Sequence, residues 1–155
     1  MIKASNIMTR DVVTVSPNSG IAEAAGLMLS KSVSSLVVDD KGKPVGVIGE
    51  SDIIGAVVSK KAKVKDVIDK GYMVISPRVR FSEISKCLRE KKIKRFLVVE
   101  NGKLIGLVTE TDIVQATRDF TRFHQIMQEA ILAVFGLATA FFLFYFSPLG
   151  ASIFG

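Results

Sequence analysis

At 155 residues the chain has material for one compact domain, or for one domain plus an appendage, with a formal net charge of +6 and a sequence pI near 9.6. A single cysteine, Cys87, excludes an internal disulfide and any CxxC pair, and a single histidine, His124, leaves too little for a His-based metal cluster or a Ser-His-Asp arrangement. Every Lys, Arg, Asp and Glu lies at or before Glu129, so a basic body is set apart from an uncharged, apolar tail.

In chain order, the N-terminal stretch has no apolar run of signal-peptide length, and Ala4 to Met8 reads as a turn of helix. Val12 to Val15 is β-rich and closed by Ser16-Pro17; a helix is predicted from Gly20 to Ser30, with Ile21, Ala24, Ala25 and Met28 at helical spacing. The run Leu36 to Val38, the turn Asp39-Asp40-Lys41-Gly42 and the run Val45 to Ile48 predict a hairpin. A helix opens near Glu50-Ser51-Asp52 and carries Ile53, Ile54, Val57 and Val58. The pattern then starts again: a turn at Val64 to Ile68, a strand at Val74-Ile75, a helix from Phe81 to Lys91, a hairpin from Phe96 to Val108 around Glu100-Asn101-Gly102, and a helix from Glu110.

The two rounds are offset by sixty residues. Ser16-Pro17 falls on Ser76-Pro77, Gly42-Lys43 on Gly102-Lys103, and the stretch Gly46 to Asp52 on Gly106 to Asp112. Two copies are too few for a solenoid, so they are expected to bury their apolar faces against each other, and the seam is the natural place for a ligand.

With the order β-α-β-β-α in place twice, the chain resembles a tandem pair of CBS domains, a Bateman module. The resemblance rests on the two Gly-hydrophobic-hydrophobic-X-X-X-Asp stretches, the strand-Ser-Pro-helix openings, and Val33 to Val38 with Ile93 to Val98. Over about residues 4 to 118 it implies an α+β fold, with repeats over 4–59 and 60–118 packed as a pseudo-twofold pair; residues 119–155 read separately as a C-terminal helix with an apolar tail. It also implies two clefts that hold adenosine compounds, AMP, ADP, ATP or S-adenosylmethionine, as regulatory ligands.

Carried over residue by residue, the resemblance implies a main cleft built from Thr14, Val33, Ser34, Ser35, Leu107, Thr109 and Asp112, with Lys94 and Arg95 over the phosphates. Asp112 would hold the ribose hydroxyls, since a carboxylate accepts hydrogen bonds from both at once. The other cleft would use Val47, Asp52, Val74 and Ile93, but Gly49 stands where Thr109 stands and Val74 where Thr14 stands. With two hydroxyls missing, this cleft is expected to be weaker or empty. The plainer reading of Asp52 and Asp112 is that they cap the helices beginning beside them.

The seventeen residues from Ala130 to Phe146 hold nothing more polar than Thr139 and Tyr145. As a helix they span about 26 Å at about 1.5 Å per residue, near the short limit for a hydrocarbon core of about 30 Å. Their Leu, Ile, Val and Phe residues favour insertion by roughly 3 to 6 kcal/mol. Arg118, Arg122 and the basic body before them would keep the repeats in the cytoplasm, and Gly136 with Ala140 would allow close helix approach. Leu149, Ile153 and Phe154 would extend the segment beyond Pro148. A bilayer or the core of an oligomer would have to cover such a surface.

The expected function is a non-enzymatic regulatory module, homodimeric through its repeats, whose ligand shifts their mutual orientation and signals to a partner or to the C-terminal helix. No nucleophile with a nearby base, no metal set and no P-loop is visible. The alternatives are a basic nucleic-acid binder and a CBS scaffold that oligomerises through its apolar tail. The runs Lys60 to Lys65 and Lys91 to Arg95 suit phosphate backbones, but a stacking platform and a recognition-helix signature are missing.

Overall fold

The structure is a computed structural model and describes residues 1–146, so Pro148, Leu149, Ile153 and Phe154 lie outside the described residues. The chain divides into two units, Met1–Ile113 and Val114–Gly155. The first contains α1 (Ala4–Ile7), β1 (Thr14–Val15), α2 (Ile21–Lys31), β2 (Ser35–Asp40), β3 (Lys43–Gly49), α3 (Glu50–Val58), a 3-10 turn (Val64–Asp66), β4 (Tyr72–Ile75), α4 (Phe81–Lys91), β5 (Arg95–Glu100) and β6 (Lys103–Thr109). Helix α5 (Glu110–Tyr145) begins in the first unit, and its portion from Val114 on belongs to the second.

Each repeat forms a three-stranded sheet, β1-β2-β3 or β4-β5-β6, with the first pair parallel and the second antiparallel. The hairpins close through two-residue turns, Lys41-Gly42 and Asn101-Gly102, with positive φ at both positions of each. Such turns match the strand twist, and glycine takes the left-handed conformation without steric cost. Ile21, Ala24 and Met28 of α2 are buried on one side of the helix and pack with Leu36, Val38 and Ile48. In the second repeat, Ile84 of α4 packs with Phe96, Val98 and Val108.

The short leading segments do not pack on the repeat that follows them in the chain. Val64 is fully buried in the first repeat's core, while Ala4 and Met8 are buried in the second's. The hydrogen bonds repeat this exchange at the sixty-residue offset. Val64 N donates to Ser19 O (3.0 Å) and Lys65 N to Pro17 O (2.9 Å), just as Ala4 N donates to Val79 O (2.8 Å) and Ser5 N to Pro77 O (3.1 Å). Each segment then bridges to the opposite sheet, Asp69 to Val47 and Thr9 to Leu107. The two repeats are therefore tied together by backbone, and a separated half would lose part of its core.

In the second unit α5 is apolar over its last part. Phe141, Phe142, Leu143 and Tyr145 are exposed, and among the described residues α5 is the one helix long and apolar enough to cross a membrane, by length and composition only.

Candidate functional site

Where the sheets face each other, Val37, Val47, Leu97 and Leu107 form a third apolar cluster, with Val12, Tyr72 and Leu104 at its edge. Val47 and Leu107, both assigned to ligand clefts by the resemblance, are part of this seam. Val47 is fully buried, while Leu107 also lines an adjoining cavity.

That cavity, of about 180 Å³, lies between the end of α2 and start of β2 on one side and the junction of β6 with α5 on the other. It brings together Val33, Ser34, Ser35, Leu107, Thr109 and Asp112. Thr14 is exposed on β1 and is not among the lining residues; Val12 and Val13, just before it, are. Thr9, Asp11, Ser32 and Thr111 also line the cavity and were missed by sequence reasoning. Thr9 arrives with the exchanged leading segment. Ser32 ends α2 in the left-handed region, at φ 52°, which turns the chain into β2. A signal for Thr9 existed in the sequence, since the Ala4 to Met8 segment recurs at Val64 to Ile68, but nothing local says which repeat it joins.

Asp112 is the third residue of α5. Its Oδ2 accepts hydrogen bonds from Thr109 N (2.7 Å) and Thr109 Oγ1 (2.8 Å). The capping role thus exists, and it holds the half-buried carboxylate in one orientation at the cavity wall. Oδ1 takes part in no hydrogen bond among the described residues, so the group keeps acceptor capacity for a ligand hydroxyl. The lining carries two carboxylates, Asp11 and Asp112, six hydroxyls and no Lys or Arg. It suits an uncharged, hydroxyl-bearing group with an apolar ring against Val12, Val13, Val33 and Leu107.

Basic side chains border an adjoining cavity of about 290 Å³, which shares Ser34, Ser35, Thr109 and Thr111 with the first and adds Lys94, Arg95, Glu50 and Glu110. Lys94 Nζ lies 3.3 Å from Glu110 Oε2, with both side chains largely exposed, so the pair itself is worth little. Arg95 is different. The resemblance implies that it covers phosphates in the main cleft, whereas here Nη2 lies 2.8 Å from Asp52 Oδ2 and Nη1 2.6 Å from Asp69 Oδ2. Its guanidinium thus belongs to the second cleft. Asp52 Oδ2 also accepts the Gly49 backbone N–H at 2.8 Å, the counterpart of the Thr109–Asp112 bond. Of the other residues assigned to that cleft, Val74 is 55% exposed and Ile93 packs against the second repeat's core. Among the described residues no group of three His, Cys, Asp or Glu side chains could hold a metal.

A family model described as the CBS domain matches residues 4–59 and 64–119. The chain is 35% identical over 125 residues to an inosine-5'-monophosphate dehydrogenase of Methanocaldococcus jannaschii, covering 76% of this chain but 25% of the enzyme. It is 32% identical over 121 residues to the uncharacterized protein MK0525 of Methanopyrus kandleri, covering 74% of this chain and 62% of that one. The chain therefore spans less than two thirds of the length of these curated relatives. Among solved structures it is similar to the CBS domain pair of protein MJ0100 in complex with 5-methylthioadenosine and S-adenosyl-L-methionine (TM-score 0.69, 21% identity, 77% of this chain and 98% of that one). It is also similar to CBSX2 in complex with AMP (TM-score 0.62, 26% identity, 78% and 99%).

Proposed function

This chain belongs to the CBS domain family, carrying the domain twice, and we propose that it is a non-enzymatic regulatory module that binds one adenosine compound in the cavity at Thr109 and Asp112. Tandem CBS domains are regulatory modules. Relatives such as the dehydrogenases carry them as parts of enzymes, and this chain matches only a fraction of those. The observation that carries the reading is the oriented Asp112 carboxylate beside an apolar slot, with hydroxyls from both repeats around it. CBSX2, at 26% identity, is a CBS protein in complex with AMP.

In this reading the ring sits against Val12, Val13, Val33 and Leu107, Asp112 accepts from the ribose, and any phosphate extends past Ser34 and Ser35 toward Lys94. The ligand bridges the two repeats, so it favours the mutual orientation in which both halves of the cavity fit it. The test is calorimetric titration of the full chain in detergent micelles with AMP, ADP, ATP and S-adenosylmethionine. Binding of at least one at about one per chain is expected. Silence for all four would make the pair a scaffold.

The same proposal anchors the module in a membrane through the apolar part of α5, with the repeats on the cytoplasmic side and homodimers forming through the repeats. Support comes from the 36-residue helix, its mean hydropathy of 1.9 in the apolar window, and the absence of charge after Glu129. The full chain should stay with the membrane fraction in about 1 M salt, where charges are screened beyond about 3 Å. A chain ending at Glu129 should be released. If the full chain is released as well and sediments as an oligomer, the tail packs on other copies instead.

A further inference from the structure

The second cleft already has an occupant. We infer that Arg95 is an internal plug, filling the site that would otherwise take a second adenosine compound and limiting the chain to one ligand. The inference deepens the proposed function and rests on it for the ligand.

The argument follows from comparing the two clefts at the sixty-residue offset. Ser35, Thr109, Thr9 and Asp112 of the open cleft correspond to Arg95, Gly49, Asp69 and Asp52 of the other. Only the helix-capping aspartate is the same. The three differences form one compensated set. Arg95 crosses the seam with its side chain 14% exposed and donates to two carboxylates held by the first repeat, Asp52 at 2.8 Å at the start of α3 and Asp69 at 2.6 Å beside β3.

A Cβ at Gly49 would lie 2.7 Å from Arg95 Nη2, so the threonine found at the matching position of the open cleft would force the guanidinium to shift from this position. Asp69 supplies the second carboxylate where the open cleft has only a hydroxyl, and its backbone is fixed to Val47 by two hydrogen bonds of 3.1 Å. An arginine fork between two anchored carboxylates is a pre-organised, charge-assisted arrangement. It uses Asp52, the residue that would hold a ribose.

Two measurements test this on the full chain in micelles. In calorimetric titration with the adenosine compound that binds, the wild type should take one per chain. The variant Gly49→Thr/Asp69→Thr/Arg95→Ser, which removes the plug and gives these three positions the residues of the open cleft, should take two. Two per wild-type chain, or one per chain for a variant that keeps the wild-type circular dichroism, overturns the plug.

The second measurement needs no ligand and no variant to fold. Nitrogen-15 NMR of the wild type should show distinct, slowly exchanging Nη signals for Arg95. A freely rotating guanidinium overturns the plug, even if titration is silent and the adenosine reading has itself failed.

Discussion

Replacing Asp112 with alanine should weaken adenosine binding at least about 100-fold, because two hydrogen bonds to a charged group, each worth about 1.5 to 3 kcal/mol, are lost together. Asp112→Ala also removes the bonds to Thr109 N and Oγ1, which costs about 1 kcal/mol of stability at the start of α5. Asp112→Asn separates the two effects. Its side-chain oxygen still accepts the Thr109 N–H, so the cap survives, while an NH2 donor stands where Oδ1 would accept from the ribose and the charge is gone. Asn should therefore melt close to wild type yet bind about tenfold more weakly. Should Asn bind as tightly as wild type, Asp112 would be a cap alone.

Gly46→Ala should destabilise the first unit by about 3 kcal/mol, and Gly106→Ala by only about 1 kcal/mol, although the two glycines occupy matching positions. Both are needed because the exchanged leading segment of the other repeat runs directly over the sheet at that point. A Cβ on Gly46 would overlap Ile68 Cγ2 and sit 3.0 Å from the Asp69 carbonyl oxygen. Neither neighbour yields easily, since Ile68 is β-branched with a restricted χ1 and the Asp69 backbone is bonded to Val47. On Gly106 the new atom would meet Met8, at 2.5 Å from Sδ and 2.9 Å from Cγ. An unbranched thioether can swing aside.

At about 2 to 4 °C per kcal/mol for a chain of this size, thermal melts should separate the two variants by several degrees. Equal losses would mean that the contact with the exchanged segment does not set the cost. The same overlap ties these glycines to the site: Asp69 and Thr9, which follow Ile68 and Met8, are the residues that face the two clefts.

Much of this architecture is written locally. Apolar spacing marks α2, α4 and the hairpins, Lys41-Gly42 and Asn101-Gly102 mark the turns, and the constant offset announces two copies of one unit, because helix and strand periods and turn chemistry depend on residues a few positions apart. The uncharged run after Glu129 is equally plain. Of the cavity, Val33 to Ser35 and Leu107, Thr109 and Asp112 could be named in advance because they sit within repeated motifs. Thr9, Asp11 and Ser32 could not. Their place in the cavity depends on which sheet the leading segment joins and where α2 ends.

The destination of Arg95 is the sharpest case. Its position in the sequence, beside Lys94 at the start of β5, fits a phosphate contact as well as an ion pair. Asp69 and Asp52, 26 and 43 residues earlier, and the space left by Gly49 draw it into the second cleft. Local periodicity determined the elements, the duplication and the apolar tail. Which repeat each leading segment completes, and what fills the cleft that Gly49 and Val74 already mark as the weaker one, were decided only by tertiary structure, because a long flexible side chain goes where distant partners leave room and charge for it.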